Sequence, residues 1–119
     1  MKLYLTNGVQ NKKLYIAYSL EYDNGERKDY LHVQDTFNYP AIDTVNYVMG
    51  FLKEVNNLTI DSNKDDVLEL FQDINRGKFK IKVSLYRLLL HETYAEEPYS
   101  QMIYSSLNYA ISERMSHNV

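Results

Sequence analysis

The apolar pattern of this chain changes period at Pro40, and that change limits the folds open to it. Upstream, apolar residues come in short runs rich in aromatic and β-branched side chains; downstream, Ile42, Val45, Met49, Leu52 and Val55 recur at helical spacing. A strand sends alternate side chains to opposite faces, whereas a helix brings every third or fourth residue to one face. A chain that uses the two patterns in separate blocks is expected to build a sheet and lay helices on it.

The upstream block divides into three strands. Residues 2–6 (KLYLT) predict a short strand ended by Asn7-Gly8, residues 13–22 (KLYIAYSLEY) a second and residues 28–35 a third. Between the last two lies Asp23-Asn24-Gly25-Glu26, and Asn-Gly accepts the positive φ values that tight hairpins demand. The loop from Asn7 to Lys12 is expected to return the first strand antiparallel to the second. The result is a three-stranded antiparallel meander.

Downstream, Pro40 suits the first turn of a helix, where its missing N–H leaves nothing unpaired, and Asn56-Asn57 end that helix. Residues 58–61 (LTID) predict a short strand. Ser62 or Asn63 can then cap a second helix, with Asp65 and Asp66 at the positive end of its dipole. Val67, Leu70, Phe71 and Ile74 form its buried stripe, and Gly77 is a natural stop. Residues 78–90 (KFKIKVSLYRLLL) alternate as a strand does, and the chain beyond Pro98 is helical again, with Tyr99, Met102, Ile103, Leu107, Ala110 and Ile111 on one side. The expected order is βββαβαβα: one α/β (α+β) domain over residues 1–119, with a mixed sheet and helices packed on it.

Composition narrows function mainly by exclusion. With no cysteine among 119 residues, thiolate nucleophiles, disulfides and cysteine-based zinc sites are ruled out. The N-terminal segment lacks the apolar core of a signal peptide, and no apolar run approaches the roughly 20 residues of a membrane helix, so a cytoplasmic location without membrane contact is expected. A net charge of −3, from 13 Lys+Arg against 16 Asp+Glu, argues against a main role in non-specific nucleic-acid binding. The 12 tyrosines suit half-buried surfaces and interfaces; AT-rich codon usage would also supply them.

The element order, with LYLTNG at residues 3–8 and LTIDS at 58–62, resembles the ribonuclease H fold. The resemblance covers nearly the whole chain and implies a sheet with the third strand at one edge and the fifth at the other. It also implies a Mg²⁺- or Mn²⁺-dependent nuclease site, in which Asp61 matches a metal-binding carboxylate. Asn7 stands where the first carboxylate belongs, and a neutral amide lacks the charge that holds a divalent ion. Asp43 is the nearest acid to the glutamate expected on the first helix. Only Gln101 and Asn108 stand near the place of a fourth acid. His91 matches a histidine that assists product release, but the segment after it lacks the usual glycine-containing loop. Two-metal chemistry needs clustered negative charge, and here one carboxylate matches.

The other constellations each have a plain structural reading. Arg76, Lys78, Lys80, Lys82 and Arg87 would solubilise an edge strand, or contact phosphates with Tyr86 as a stacking surface. Asp65, Asp66, Glu69 and Asp73 form a solvated helix face, or a site for a basic partner. His32, His91 and His117 lack metal-ligand spacing, and no phosphate loop or nucleophile elbow is present. A short, acidic, Tyr- and Asn-rich chain without a catalytic motif resembles the accessory and inhibitor proteins of phages and mobile elements. The expected function is therefore a non-catalytic module acting by protein contacts and needing no cofactor. A divergent metal-dependent nuclease using Asp61, Asp43 and His91, and a structural oligomerisation domain, are the alternatives.

Overall fold

The computed structural model describes residues 1–51, 58–75, 88–90 and 98–117. Its elements run β1 (Lys2–Gln10), β2 (Lys13–Glu21), β3 (Arg27–Gln34), α1 (Pro40–Phe51), β4 (Leu58–Ser62), α2 (Asp65–Asn75), β5 (Leu88–Leu90) and α3 (Pro98–His117). The order βββαβαβα is the one expected. The strands form one mixed sheet in the order β3-β2-β1-β4-β5; β1–β2 and β2–β3 are antiparallel, and β1–β4 and β4–β5 are parallel.

The first hairpin differs from its expectation in an instructive way. Asn7-Gly8 does not end β1, because Asn7 pairs with Ile16 and Gly8 with Tyr15 inside the ladder. The turn is the two-residue loop Asn11-Lys12, with φ values of 53° and 63°. Two successive positive φ angles match the right-handed twist of the flanking strands. Gly8 has a packing role instead: a Cβ there would lie 3.3 Å from Met115 Cε and 3.4 Å from Ile111 Cγ2, so its bare backbone lets α3 approach the sheet closely.

The second hairpin turns at the expected Asn24-Gly25. Gly25 N–H donates to the Tyr22 carbonyl (3.0 Å) and Tyr22 N–H to the Glu26 carbonyl (2.8 Å). Gly25 takes a φ of 88°, the left-handed residue of a bulged turn, which glycine adopts at no steric cost. The register that follows pairs Tyr18 with Tyr30 and Ile16 with His32.

Alternation along β1 and β2 divides the core into two layers. Leu3, Leu5, Leu14, Ile16 and Tyr18 face α1 and α2, meeting Val45, Val48, Met49, Val67 and Phe71. Tyr4, Tyr15 and Ala17 face the other way and meet Ile103, Tyr104, Leu107 and Ile111 of α3. The buried stripe of α1 runs through Thr44, Val45, Val48 and Met49, so Ile42, expected on it, is instead 43% exposed. On α3 the buried residues are Ser100, Ile103, Tyr104, Leu107 and Ile111; Tyr99 and Met102, expected among them, are exposed. On α2, Val67, Leu68 and Phe71 are buried, with Leu70 and Ile74 packed at the margin. The Ser62 hydroxyl accepts the Lys64 N–H (3.1 Å) just ahead of the helix. Leu52, Val55, Asn56, Asn57, Gly77 and most of the 78–90 run lie outside the described residues. No described helix is long and apolar enough to cross a membrane.

Candidate functional site

The candidate metal carboxylates are held apart by the sheet. Asp61 pairs with Tyr4 in the β1–β4 ladder and shares its face, the one covered by α3. Its side chain is 2% exposed. The Tyr104 hydroxyl donates to Asp61 Oδ1 at 3.0 Å, and Lys2 Nζ lies 3.8 Å from Oδ2. Asp43 sits on α1, across the sheet. Its Oδ2 accepts the Asn38 and Tyr39 N–H groups (3.1 and 2.9 Å) and its Oδ1 the Gln34 amide (3.2 Å). That is the work of a helix cap: a carboxylate in the first turn reaching back to backbone donors. Asn7 also faces α1, where its Nδ2 donates to Thr44 Oγ1 at 2.9 Å. Asn7, Asp43 and Asp61 therefore do not converge, and among the described residues no three His, Asp or Glu side chains group to hold a metal ion. Gln101 and Asn108 lie on the exposed side of α3. His91, Tyr86 and the basic run Arg76, Lys78, Lys80, Lys82 and Arg87 lie outside the described residues.

The polar groups beneath α3 form a network of donors to two carboxylates. Besides the Tyr104–Asp61 bond, the Tyr99 hydroxyl donates to Glu21 Oε2 at 3.0 Å, with Tyr4 Oη 3.5 Å from the same oxygen. The Tyr4 ring meets those of Tyr99 and Tyr104 edge to face at 6.3 and 6.1 Å, and Lys2 Nζ sits 4.8 Å from its centroid. Burial, reinforced by the Asp61 charge and hydrogen bond, pushes the Tyr104 hydroxyl well above the ordinary phenol range. Burial followed by the Glu21 charge does the same for Tyr4, and the hydrogen bond to Glu21 raises Tyr99. A tyrosine that is to act as base or nucleophile needs its pKa lowered toward the working pH. Here all three move the other way and stay protonated as donors.

The opposite face carries a feature of another kind. Where β2, β3 and α1 meet, Tyr18 stacks on Tyr30 and on Phe51, each with centroids 5.0 Å apart, and His32 stacks on Tyr47 at 3.9 Å with planes 7° from parallel. Tyr47 closes the cluster, edge to face with Phe51 at 5.4 Å, its hydroxyl 3.3 Å from that of Tyr18. Tyr18 is buried and its hydroxyl is raised by that burial and by Tyr47. Tyr30 and Phe51 are 39% and 38% exposed. Farther along α1, Phe37, Asn38, Tyr39, Ile42, Asp43 and Asn46 line an open hollow of about 540 Å³, with Tyr39 and Ile42 exposed. The acidic face of α2 points Asp65, Asp66 and Glu69 to solvent, and Asp66 Oδ1 accepts the Val67 N–H.

Sequence reasoning singled out His32 only as a histidine without metal-ligand spacing and missed Tyr18, Tyr30, Tyr47 and Phe51. One signal was present: the Asn24-Gly25 hairpin fixes Tyr18 opposite Tyr30, and Tyr47 and Phe51 are four residues apart on a helix, hence on one face. No known protein-family model matches the chain, and no match to it is found among curated proteins.

Proposed function

We propose that this chain is a non-catalytic module that acts through protein contacts, of the accessory or regulatory kind that phages and mobile elements encode. The aromatic cluster of Tyr18, Tyr30, His32, Tyr47 and Phe51 is its contact surface, and this one observation carries the reading. Stacked rings, rigid and partly open to solvent beside an edge strand, offer large contact area at small conformational cost. Tyrosine combines an apolar ring with a polar tip and is enriched where proteins meet. The strand order, with β3 and β5 at the edges and β4 parallel to β1, supports a ribonuclease H-like architecture. A fold of that kind does not license its chemistry, and the cap role of Asp43 and the covered position of Asp61 favour contact over catalysis.

The test is site-specific photocrosslinking in cells, with a photoreactive phenylalanine analogue at Tyr30 or Tyr39 and, as control, at Tyr109, which is 69% exposed on α3. Adducts at positions 30 and 39 but not 109 are expected. Equal labelling at 109, or none at 30 and 39, overturns the assignment of the surface. Mg²⁺- or Mn²⁺-dependent cleavage of an RNA–DNA hybrid that is lost in a folded Asp61→Asn variant would replace it with the nuclease reading.

A further inference from the structure

The backbone of β3 says what this edge is shaped to receive. In an antiparallel ladder, residues alternate between pairs that exchange hydrogen bonds and pairs that do not. The bond from Tyr22 N–H to the Glu26 carbonyl fixes the phase, and the unbroken register carries it along the hairpin. Lys28, Tyr30, His32 and Gln34 spend their backbone groups on β2. Arg27, Asp29, Leu31 and Val33 therefore turn their N–H and C=O groups outward, and no described strand pairs with that edge.

We infer that the edge binds a second copy of this chain, β3 against β3 antiparallel about a two-fold axis at Leu31, which would join the two sheets into one. This rests on the reading of the aromatic cluster as a contact surface. Registers that match outward-facing residues to one another are the only ones that complete the ladder, and side-chain charge chooses among them. Centred on Leu31, Arg27 of each copy faces Asp35 of the other, Lys28 faces Gln34, and Leu31 faces itself. Tyr30 of each copy faces His32 of the second copy, so the Tyr18–Tyr30 stack runs on into the His32–Tyr47 stack across the axis, twice. Centred on His32, Asp29 would face Asp35. Centred on Asp29, that carboxylate would face its own copy. Centred on Tyr30, no opposite charges meet. Asp35, the residue after β3, lies 3.7 Å from Lys13 Nζ of its own chain and is 81% exposed. Arg27 turns toward Asp29 at 3.5 Å on the same edge, so both charges stand at the surface where a second copy would meet them. The charged end of β3 discourages indiscriminate edge pairing. Centred on Lys28, Arg27 would face Asp29 but the lysine would face its own copy, whereas centred on Leu31 opposite charges meet and no like charges do.

The experiment is sedimentation equilibrium of the full chain from micromolar to millimolar concentration, on wild type, R27D, D35R and the R27D/D35R double variant, with far-UV circular dichroism reporting folding. Expected is a concentration-dependent dimer that each single reversal weakens by about tenfold or more, because like charges then face each other at both ends of the interface. The double variant, which restores opposite charges across the axis, recovers the wild-type association. A wild type that stays monomeric at millimolar concentration overturns the inference, as do single reversals without effect or a double variant no tighter than the singles. A monomer that still gives crosslinks to another protein at Tyr30 would refute the second copy while leaving the contact surface standing.

Discussion

Replacing Tyr104 by phenylalanine isolates the bond on which the α3 face turns. The substitution keeps the ring and its edge-to-face contact with Tyr4 at 6.1 Å, and removes only the hydroxyl that donates to Asp61 at 3.0 Å. Asp61 is left buried with one donor fewer; Lys2 Nζ, 3.8 Å from its other oxygen, is too far away to replace it. A hydrogen bond to a charged group contributes about 1.5–3 kcal/mol. Because ring packing is retained, the middle of that range applies, a loss of about 2 kcal/mol. For a domain of this size that lowers Tm by roughly 6–12 °C and the urea midpoint by about 1 M. Urea unfolding followed by circular dichroism at neutral pH measures it, with Asp61→Asn and the double variant completing a cycle. In the Asp61→Asn background the bond is neutral to neutral, so the same hydroxyl contributes about 1 kcal/mol. A Tyr104→Phe variant within about 0.5 kcal/mol of wild type would falsify the role given to this bond. Additive singles would refute the claim that charge strengthens it.

Three further outcomes follow from the same geometry. Tyr4, Tyr18 and Tyr104 all have hydroxyls raised above the ordinary value of 10. Below that pH both folded and unfolded chains hold the proton and stability is complete. Above it only the unfolded chain ionises, so stability falls as pH rises, with Tyr104 alone contributing up to about 1.4 kcal/mol per pH unit. Denaturant midpoints should drop from about pH 10 upward, less steeply in Tyr104→Phe; a flat profile to pH 12 contradicts this. Gly8→Val would drive methyl groups into Met115 and Ile111 and cost about 1–3 kcal/mol, whereas Gly8→Ala, met by the flexible end of Met115, should stay within about 0.5 kcal/mol; thermal melts that rank them the other way refute the close-approach role. Asp43→Ala, which strips acceptors from the Asn38 and Tyr39 N–H groups, should cost about 0.5–2 kcal/mol. Its loss should be the same with and without Mg²⁺, since the carboxylate serves as a cap.

The order of elements was legible because each boundary carried a local signal: Asn24-Gly25 for the hairpin, Pro40 for the change of period, and alternating or helical apolar spacing between them. The errors came where local and long-range preferences compete. Asn7-Gly8 has the chemistry of a turn, yet pairing with Ile16 and Tyr15, and the approach of α3 over Gly8, keep it in the strand. The turn then falls on Asn11-Lys12, where lysine is an uncommon occupant of a positive φ. Ile42 fits a helical stripe, but the face that packs is centred a residue or two away, on Thr44, Val45 and Val48. The polar network was illegible for a different reason. Nothing near Tyr104 marks it as the partner of Asp61, 43 residues away; that meeting exists only once α3 lies on the sheet. The aromatic cluster was half legible, since the hairpin register alone would have set Tyr18 beside Tyr30.

The placement of α3 also bears on whether Asp61 can do chemistry. Helix α3 carries the Tyr104 hydroxyl that donates to Asp61 and packs over the face on which Asp61 pairs with Tyr4 and Tyr4 with Ser19. Lifting it would expose Ile103, Tyr104, Leu107 and Ile111, each now at most 5% exposed. At about 1.5–3 kcal/mol for each buried side chain the cost is roughly 6–12 kcal/mol, as large as the whole stability of an ordinary domain. Releasing the Tyr104–Asp61 bond by displacing α3 is therefore opposed by the packing of that whole helix face. Tyr30, Phe51 and the outward N–H groups of β3 are presented without any such cost. Selection for contact can act on that edge while the buried carboxylate stays fixed, and this asymmetry is the physical reason to look for partners there.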